Sequence, residues 1–239
     1  MSGRYRAILF DLFGTLVHFT VPPDPDLEWL RAPLARACPG VELPRLRDAL
    51  WAVTRELAAE RPPEYYEVPS QERFRRALAR LGVADLDAAE ALSAAHMDQL
   101  ELQTAMPAGY RALLADWAAH YRLGVISNFD HGPTARAVVA RFDPERRLAV
   151  AVISADFGRR KPHASIFTSA LRQLDVSPAQ ALFVGDNHAE DIVGAIAIGM
   201  DAAWITRDAA AAVEPAPTYV LPDLPALAAL LGARSPARR

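Results

Sequence analysis

Short apolar runs alternate with helix-like stretches along much of this chain. Tyr5–Phe10, Leu123–Ser127, Ala149–Ser154, Ala181–Gly185 and Ala202–Thr206 are runs rich in aliphatic side chains. Their apolar residues are nearly continuous, which predicts strands buried on both faces, as in a parallel sheet. Helix-like segments lie between them over Pro107–His120, Pro133–Arg141, His163–Leu174 and Ala189–Ile198. Strands and helices in alternation predict an α/β fold, a doubly wound parallel sheet. Near the end, Tyr219–Leu221 reads as a last short strand and the residues up to Leu231 as a closing helix, with Ser235–Arg239 a frayed tail.

The alternation breaks once. More than 100 residues separate Asp11 from Leu123, far more than one crossover helix requires. Residues 27–38, 44–60, 70–81 and 86–102 all carry helical patterns; Leu46, Leu50, Val53 and Leu57 form one apolar stripe, and Phe74, Leu78 and Leu81 another. The expected organisation is a core of residues 1–16 plus 105–239, with 17–104 inserted as an α-helical cap. Pro22, Pro23 and Pro25 punctuate its entrance and Met106-Pro107 its exit.

Composition narrows the function classes. Of 239 residues, 51% are hydrophobic and 23% charged, which suits a globular chain and excludes disorder throughout. A net charge of −3 argues against a nucleic-acid or anionic-membrane footprint, and no apolar stretch is long enough to span a bilayer. One cysteine, Cys38, forms no internal disulfide and fits a reducing compartment. With no targeting segment legible, a cytoplasmic monomer or homodimer acting on a small molecule is expected. Among 26 basic side chains only Lys161 is a lysine. Arginine replaces lysine readily on a surface and poorly where a compact ammonium must reach a point charge, so Lys161 is a candidate site residue.

In an open parallel sheet, ligands bind beyond the carboxyl ends of the strands. Asp11, Gly14 and Thr15 follow the first predicted strand. Ser127, Asn128 and Asp130 follow the second, and Asp156, Arg159, Arg160 and Lys161 the third. Asp186, Asn187, Glu190 and Asp191 follow the fourth. Four strand ends thus deliver acids, hydroxyls and the sole lysine to one rim.

The motifs Asp11-Leu-Phe-Gly-Thr-Leu16, Ser127-Asn128, Lys161-Pro162 and Gly185-Asp186-x4-Asp191 resemble, in order and placement, those of the haloacid dehalogenase superfamily of hydrolases. The resemblance covers about residues 4–16 and 105–231, and the insertion matches a helical cap in position. It implies a Rossmann-like core in which Asp11 is the nucleophile and Lys161 neutralises it and the transferring group. Thr15, Ser127 and Asn128 would bind substrate or phosphate. Asp11, Asp186 and the backbone carbonyl of Phe13 would hold Mg²⁺, with Asp191 acting behind them. The competing roles are turn capping for Asp11, capping of the next helix for Ser127 and Asn128, and a helix N-terminal charge facing the dipole for Asp191.

One position departs from the pattern. Family phosphatases usually carry a second Asp two residues after the nucleophile as general acid and base, and here it is Phe13. The family's dehalogenases have an aromatic residue there, because a halide leaves without a proton. They dispense with Mg²⁺, however, and lack the Gly-Asp-x4-Asp motif kept here. The leading expectation is a Mg²⁺-dependent phosphatase or phosphotransferase working through an aspartyl-phosphate at Asp11 on a small phosphorylated metabolite. The second is a metal-independent 2-haloacid dehalogenase, and the third a non-catalytic binding protein on the same core. His18 is a candidate substitute acid. Tyr65, Tyr66 and Glu67 either project towards the site or pack the cap, and packing is the expectation; His96 and Trp51 are expected to be structural.

Overall fold

The computed structural model describes residues 4–21, 24–208 and 213–232. Pro22, Pro23 and the tail Ser235–Arg239 lie outside the described residues. The core strands are β1 (Ala7–Phe10), β4 (Arg122–Ser127), β5 (Leu148–Ile153), β6 (Ala181–Gly185), β7 (Asp201–Ile205) and β8 (Tyr219–Leu221). They form one parallel sheet in the order β5-β4-β1-β6-β7-β8. Central β1 is in register with both neighbours, Phe10 opposite Val125 and Val184.

Central β1 and β6 are buried throughout because helices cover both faces, whereas the edge strands β5 and β8 leave Ala149, Ala151 and Val220 exposed, contrary to the expectation of strands buried on both faces. Ile8 and Phe10 point to one side, where α5 (Tyr110–Ala118) and α10 (Leu224–Gly232) contribute Leu114, Trp117 and Leu227. Ala7 and Leu9 point to the other, against Ile166, Phe167 and Ala170 of α8 (Ala164–Gln173). This alternation on a strand without polar residues is why β1 reads as a continuous apolar run.

The insertion has its own core. Helices α1 (Arg31–Ala37), α2 (Leu43–Glu60), α3 (Ser70–Arg80) and α4 (Leu86–Leu102) enclose Leu34, Leu46, Val53, Phe74, Leu78 and Leu92. The first of the expected helices divides into a 3₁₀ turn at Glu28–Leu30 and α1. The helix expected over Ala189–Ile198 likewise divides: a π turn at His188–Ile192 precedes α9 (Val193–Ala197). The third expected strand ends a residue early, because Ser154 starts the short helix α7 (Ser154–Phe157).

One unexpected element lies where the chain leaves and re-enters the core. There β2 (His18–Phe19) pairs antiparallel with β3 (Thr104–Ala105). Two-residue strands carry no periodicity, so no pattern in the sequence announces them. The helix α6 (Gly132–Phe142) completes the core behind β4 and β5. Among the described residues no helix is long and apolar enough to cross a membrane.

Candidate active site

The rim above β1, β4 and β6 is organised around one buried ammonium. Lys161 is 1% exposed, and its Nζ donates to Asp11 Oδ1 at 2.6 Å and to the Ile126 carbonyl at 2.8 Å. Asp191 Oδ1 lies 2.7 Å from the same nitrogen. The Lys161 ammonium lies over the Phe183 ring, 5.3 Å from its centroid. An Arg fork could not occupy this enclosed spot between two carboxylates and a carbonyl, which accounts for the one lysine in an arginine-rich chain.

Asn128 holds this lysine by its main chain. Its Oδ1 accepts from Lys161 N at 2.7 Å and its Nδ2 donates to Lys161 O at 3.0 Å. Both ends of the Asn128 amide are engaged here, which gives it a positioning task on Lys161. The Thr15 hydroxyl donates to Asp186 Oδ1 at 3.3 Å and so holds that carboxylate beside Asp11. Gly14 permits that approach: its φ is +104°, and a Cβ there would lie 2.4 Å from Asp186 Oδ2. Ser127 differs from these. Its Oγ is buried and has no hydrogen-bond partner, so it is poised for an incoming oxygen.

Asp11, Asp186 and Asp191 each place one carboxylate oxygen within 4.8 Å of the others. Asp191 Oδ2 accepts from Asn187 N at 3.0 Å, and its Oδ1 is an ion-pair partner of Lys161 at 2.7 Å without hydrogen-bond geometry. Asp11 Oδ2 is buried without a hydrogen-bond partner among the described residues. Burial pushes the Asp11 carboxyl up to about 7, and the charges of Asp191 and Asp186 add to this against the pull of Lys161. Partial desolvation and the Asp191 charge also raise Asp186. Burial would lower Lys161, but Asp11 and Asp191 outweigh it and hold the ammonium above its ordinary value. Three carboxylates facing one ammonium leave a surplus of negative charge, and an unpaired buried oxygen points to the place where a cation fits. Hard oxygen donors suit Mg²⁺.

Phe13 sits in an aromatic stack, 4.5 Å from Phe129 and 5.7 Å from Phe19 between ring centroids. The stack joins the loop after Asp11 to the β4 exit and to β2. Phe19 faces Phe13, so its strand neighbour His18 points to the opposite face of β2. The geometry therefore gives no support to His18 as a substitute acid.

The remaining rim residues divide. Asp156 pairs with Arg136 on the surface. Asp130 pairs with Arg73 of α3 at 3.1 Å, linking rim to insertion. Glu67 packs neither the helical core nor an open cleft. It is buried against Arg160 and Ser154 of the core, while Tyr66 is exposed and carries Arg159 over its ring. His96 is structural as expected, accepting from Trp29 Nε1 at 3.1 Å. Trp51 is 46% exposed beside a small cavity lined also by Phe74 and His96. Sequence reasoning misses the Ile126 carbonyl, Phe19, Phe129 and Ser154, since a carbonyl, two aromatics and a serine carry no signal outside the fold.

This core, rim and motif order define a hydrolase class. The family model of haloacid dehalogenase-like hydrolases matches residues 5–199, and the chain belongs to that family. The 5-amino-6-(5-phospho-D-ribitylamino)uracil phosphatase YigB of Escherichia coli (strain K12) is 28% identical over 233 residues, covering 93% of this chain and 92% of that protein. A glyceraldehyde 3-phosphate phosphatase of Pyrococcus abyssi is 33% identical over 100 residues, and that match spans only 41% of each chain. The solved structure of a 2-haloacid dehalogenase from Pseudomonas syringae pv. Tomato DC3000 aligns with a TM-score of 0.74 at 24% identity, covering 97% of this chain and 100% of that one. The last likeness is one of fold.

Proposed function

We propose that this hydrolase is a Mg²⁺-dependent phosphatase that transfers the phosphoryl group of a small phosphorylated metabolite to Asp11. The observation that carries the reading is the surplus of carboxylate around Lys161, with Asp11 Oδ2 buried and unpaired. A metal-independent dehalogenase has no use for Asp186, which Thr15 and Gly14 hold in place beside the nucleophile. The named phosphatase relative that spans nearly the whole chain supports the same side.

In this reading the Asp11 carboxylate attacks phosphorus and the ester oxygen leaves with the bonding pair. Lys161 and the Ser127 hydroxyl face the charge that gathers on the phosphoryl oxygens. Water then attacks the aspartyl-phosphate and releases phosphate. Asp11 and Asp186, with the Phe13 backbone carbonyl, would hold Mg²⁺, which when bound supplies Lewis-acid neutralisation of the phosphate. Asp191 and Asn128 keep Lys161 in place. Phe13 cannot give the leaving oxygen a proton, so substrates with weakly basic leaving groups are favoured. The segment 17–104 acts as the substrate-selecting cap over the rim of a core made of residues 1–16 and 105–239.

The test is calorimetric titration of Mg²⁺ and beryllofluoride, an aspartyl-phosphate mimic, into metal-free protein. Mg²⁺-dependent capture that disappears in Asp11→Asn is expected. Absence of Mg²⁺ binding overturns the reading and directs the search to halide release from 2-haloacids in the presence of chelator.

A further inference from the structure

One carboxylate of the inserted segment is buried in contact with the core. The Glu67 side chain is 1% exposed and that of Arg160 is 11% exposed. Arg160 Nη1 donates to both Glu67 oxygens at 3.1 and 3.2 Å, and Ser154 Oγ donates to Oε2 at 2.5 Å. Main-chain bonds run both ways across the same seam: Glu67 N donates to Gly158 O at 3.0 Å and Arg160 N to Tyr65 O at 2.9 Å. The residues tied here are neighbours of the catalytic ones. Arg160 precedes Lys161. Its Nη2 reaches Glu190 at 3.0 Å, and Glu190 precedes Asp191. Ser154 also accepts from Phe129 N at 2.9 Å, and Phe129 lies on Phe13.

We infer that Glu67 is a positioning residue, through which the seated 65–70 segment holds Lys161 against Asp11. Between α7 and α8 the chain has no helix or strand to set its path. Lys161 is therefore placed by Asn128 on one side and by the anchored Arg160 on the other. Removing the Glu67 charge leaves Arg160 buried beside Lys161 with Glu190 alone, a costly arrangement that loosens this loop. A buried ion pair suits such a seam because it fixes one register, whereas an apolar contact tolerates sliding. The inference rests on the proposed role of Lys161 at Asp11.

The sole lysine makes the test direct. Acylation of the full chain by an N-hydroxysuccinimide ester, read by peptide mass spectrometry, reports Lys161 without any substrate. Glu67→Gln is expected to speed Lys161 acylation about tenfold or more, well below the melting midpoint of either protein. It is also expected to lower kcat on para-nitrophenyl phosphate roughly 10–100-fold with KM little changed. Glu67→Asp should fall between, and Glu64→Gln, which removes only the exposed pair with Arg159, should match wild type. Ser154→Ala keeps both charges and should shift acylation in the same direction; it decides the matter if Glu67→Gln does not fold. A lowered melting point with acylation and kcat unchanged in both variants overturns the inference. If wild type hydrolyses no phosphate ester, the proposed function fails, while the acylation result still decides the role of Glu67.

Discussion

Among the buried carboxylates at this rim, Glu67 and Asp11 are treated in opposite ways. Glu67 has both oxygens bonded: Oε1 by Arg160 and Val68 N, Oε2 by Arg160 and Ser154. Asp11 has one oxygen on Lys161 and the other on nothing. A fully partnered carboxylate fixes structure. A half-partnered one, with two further acids nearby, holds unfavourable free energy that a cation relieves. On the proposed function, the contrast separates a group that positions from a group that reacts, although burial alone makes them look alike.

The strongest way to break the comparison is Asp11→Asn. Turnover should fall by more than about 10⁴-fold, measured on any ester the wild type hydrolyses. The same change should raise the melting temperature of metal-free protein above pH 7, measured by calorimetry. The sign follows from linkage. The Asp11 carboxyl titrates near 7 in the folded chain and near 3.8 in the ordinary state, so the folded state binds more protons between these values. Wild-type stability therefore falls as pH rises through that window, and the Asn variant escapes the loss. A variant that melts lower there would show that Asp11 is satisfied after all.

A smaller effect is expected at His96, where burial keeps a base neutral. Burial, helped by the Arg73 charge, lowers its imidazole to about 3 from an ordinary 6.5. The unfolded chain binds the extra proton first, so stability from this group is present above pH 6.5 and is lost as pH falls towards 3. The loss is on the order of 3 kcal/mol at pH 4. Protonation also takes the lone pair that accepts from Trp29. Denaturant melts followed by tryptophan fluorescence should show this slope, and His96→Gln should flatten it.

The smallest expected effect tests the missing acid. Phe13→Asp should raise turnover of alkyl phosphates about tenfold or more, with Mg²⁺ present, while leaving aryl phosphates nearly unchanged. It also removes the ring between Phe19 and Phe129, so the melting temperature should drop. No gain in a variant that folds would mean that another group already supplies the proton.

How much of this was legible before the fold was known differs by residue. Asp11, Lys161, Asp186 and Asp191 each follow an apolar run or stand in a motif, so chain order alone marks them as rim residues. The tasks of Thr15 and Asn128 are not legible in this way. A threonine hydroxyl or an asparagine amide suits phosphate and main chain equally, and only the partner decides. Glu67 was harder still, because a glutamate between tyrosine and valine in a proline-flanked loop carries no periodicity.

The chain order of apolar runs and helical stripes by itself determined the α/β sheet, the long helical interruption and the rim that carries acids and one lysine. These follow from local patterns repeated along the chain, which is where burial leaves its mark. Tertiary structure alone decided who meets whom: Lys161 with Asp11 across 150 positions, Thr15 with Asp186 across 171, and Ser154 with Glu67 across 87. Hydrogen bonds and ion pairs are short-ranged and directional, so they depend on a few tenths of an ångström that no spacing in the sequence encodes.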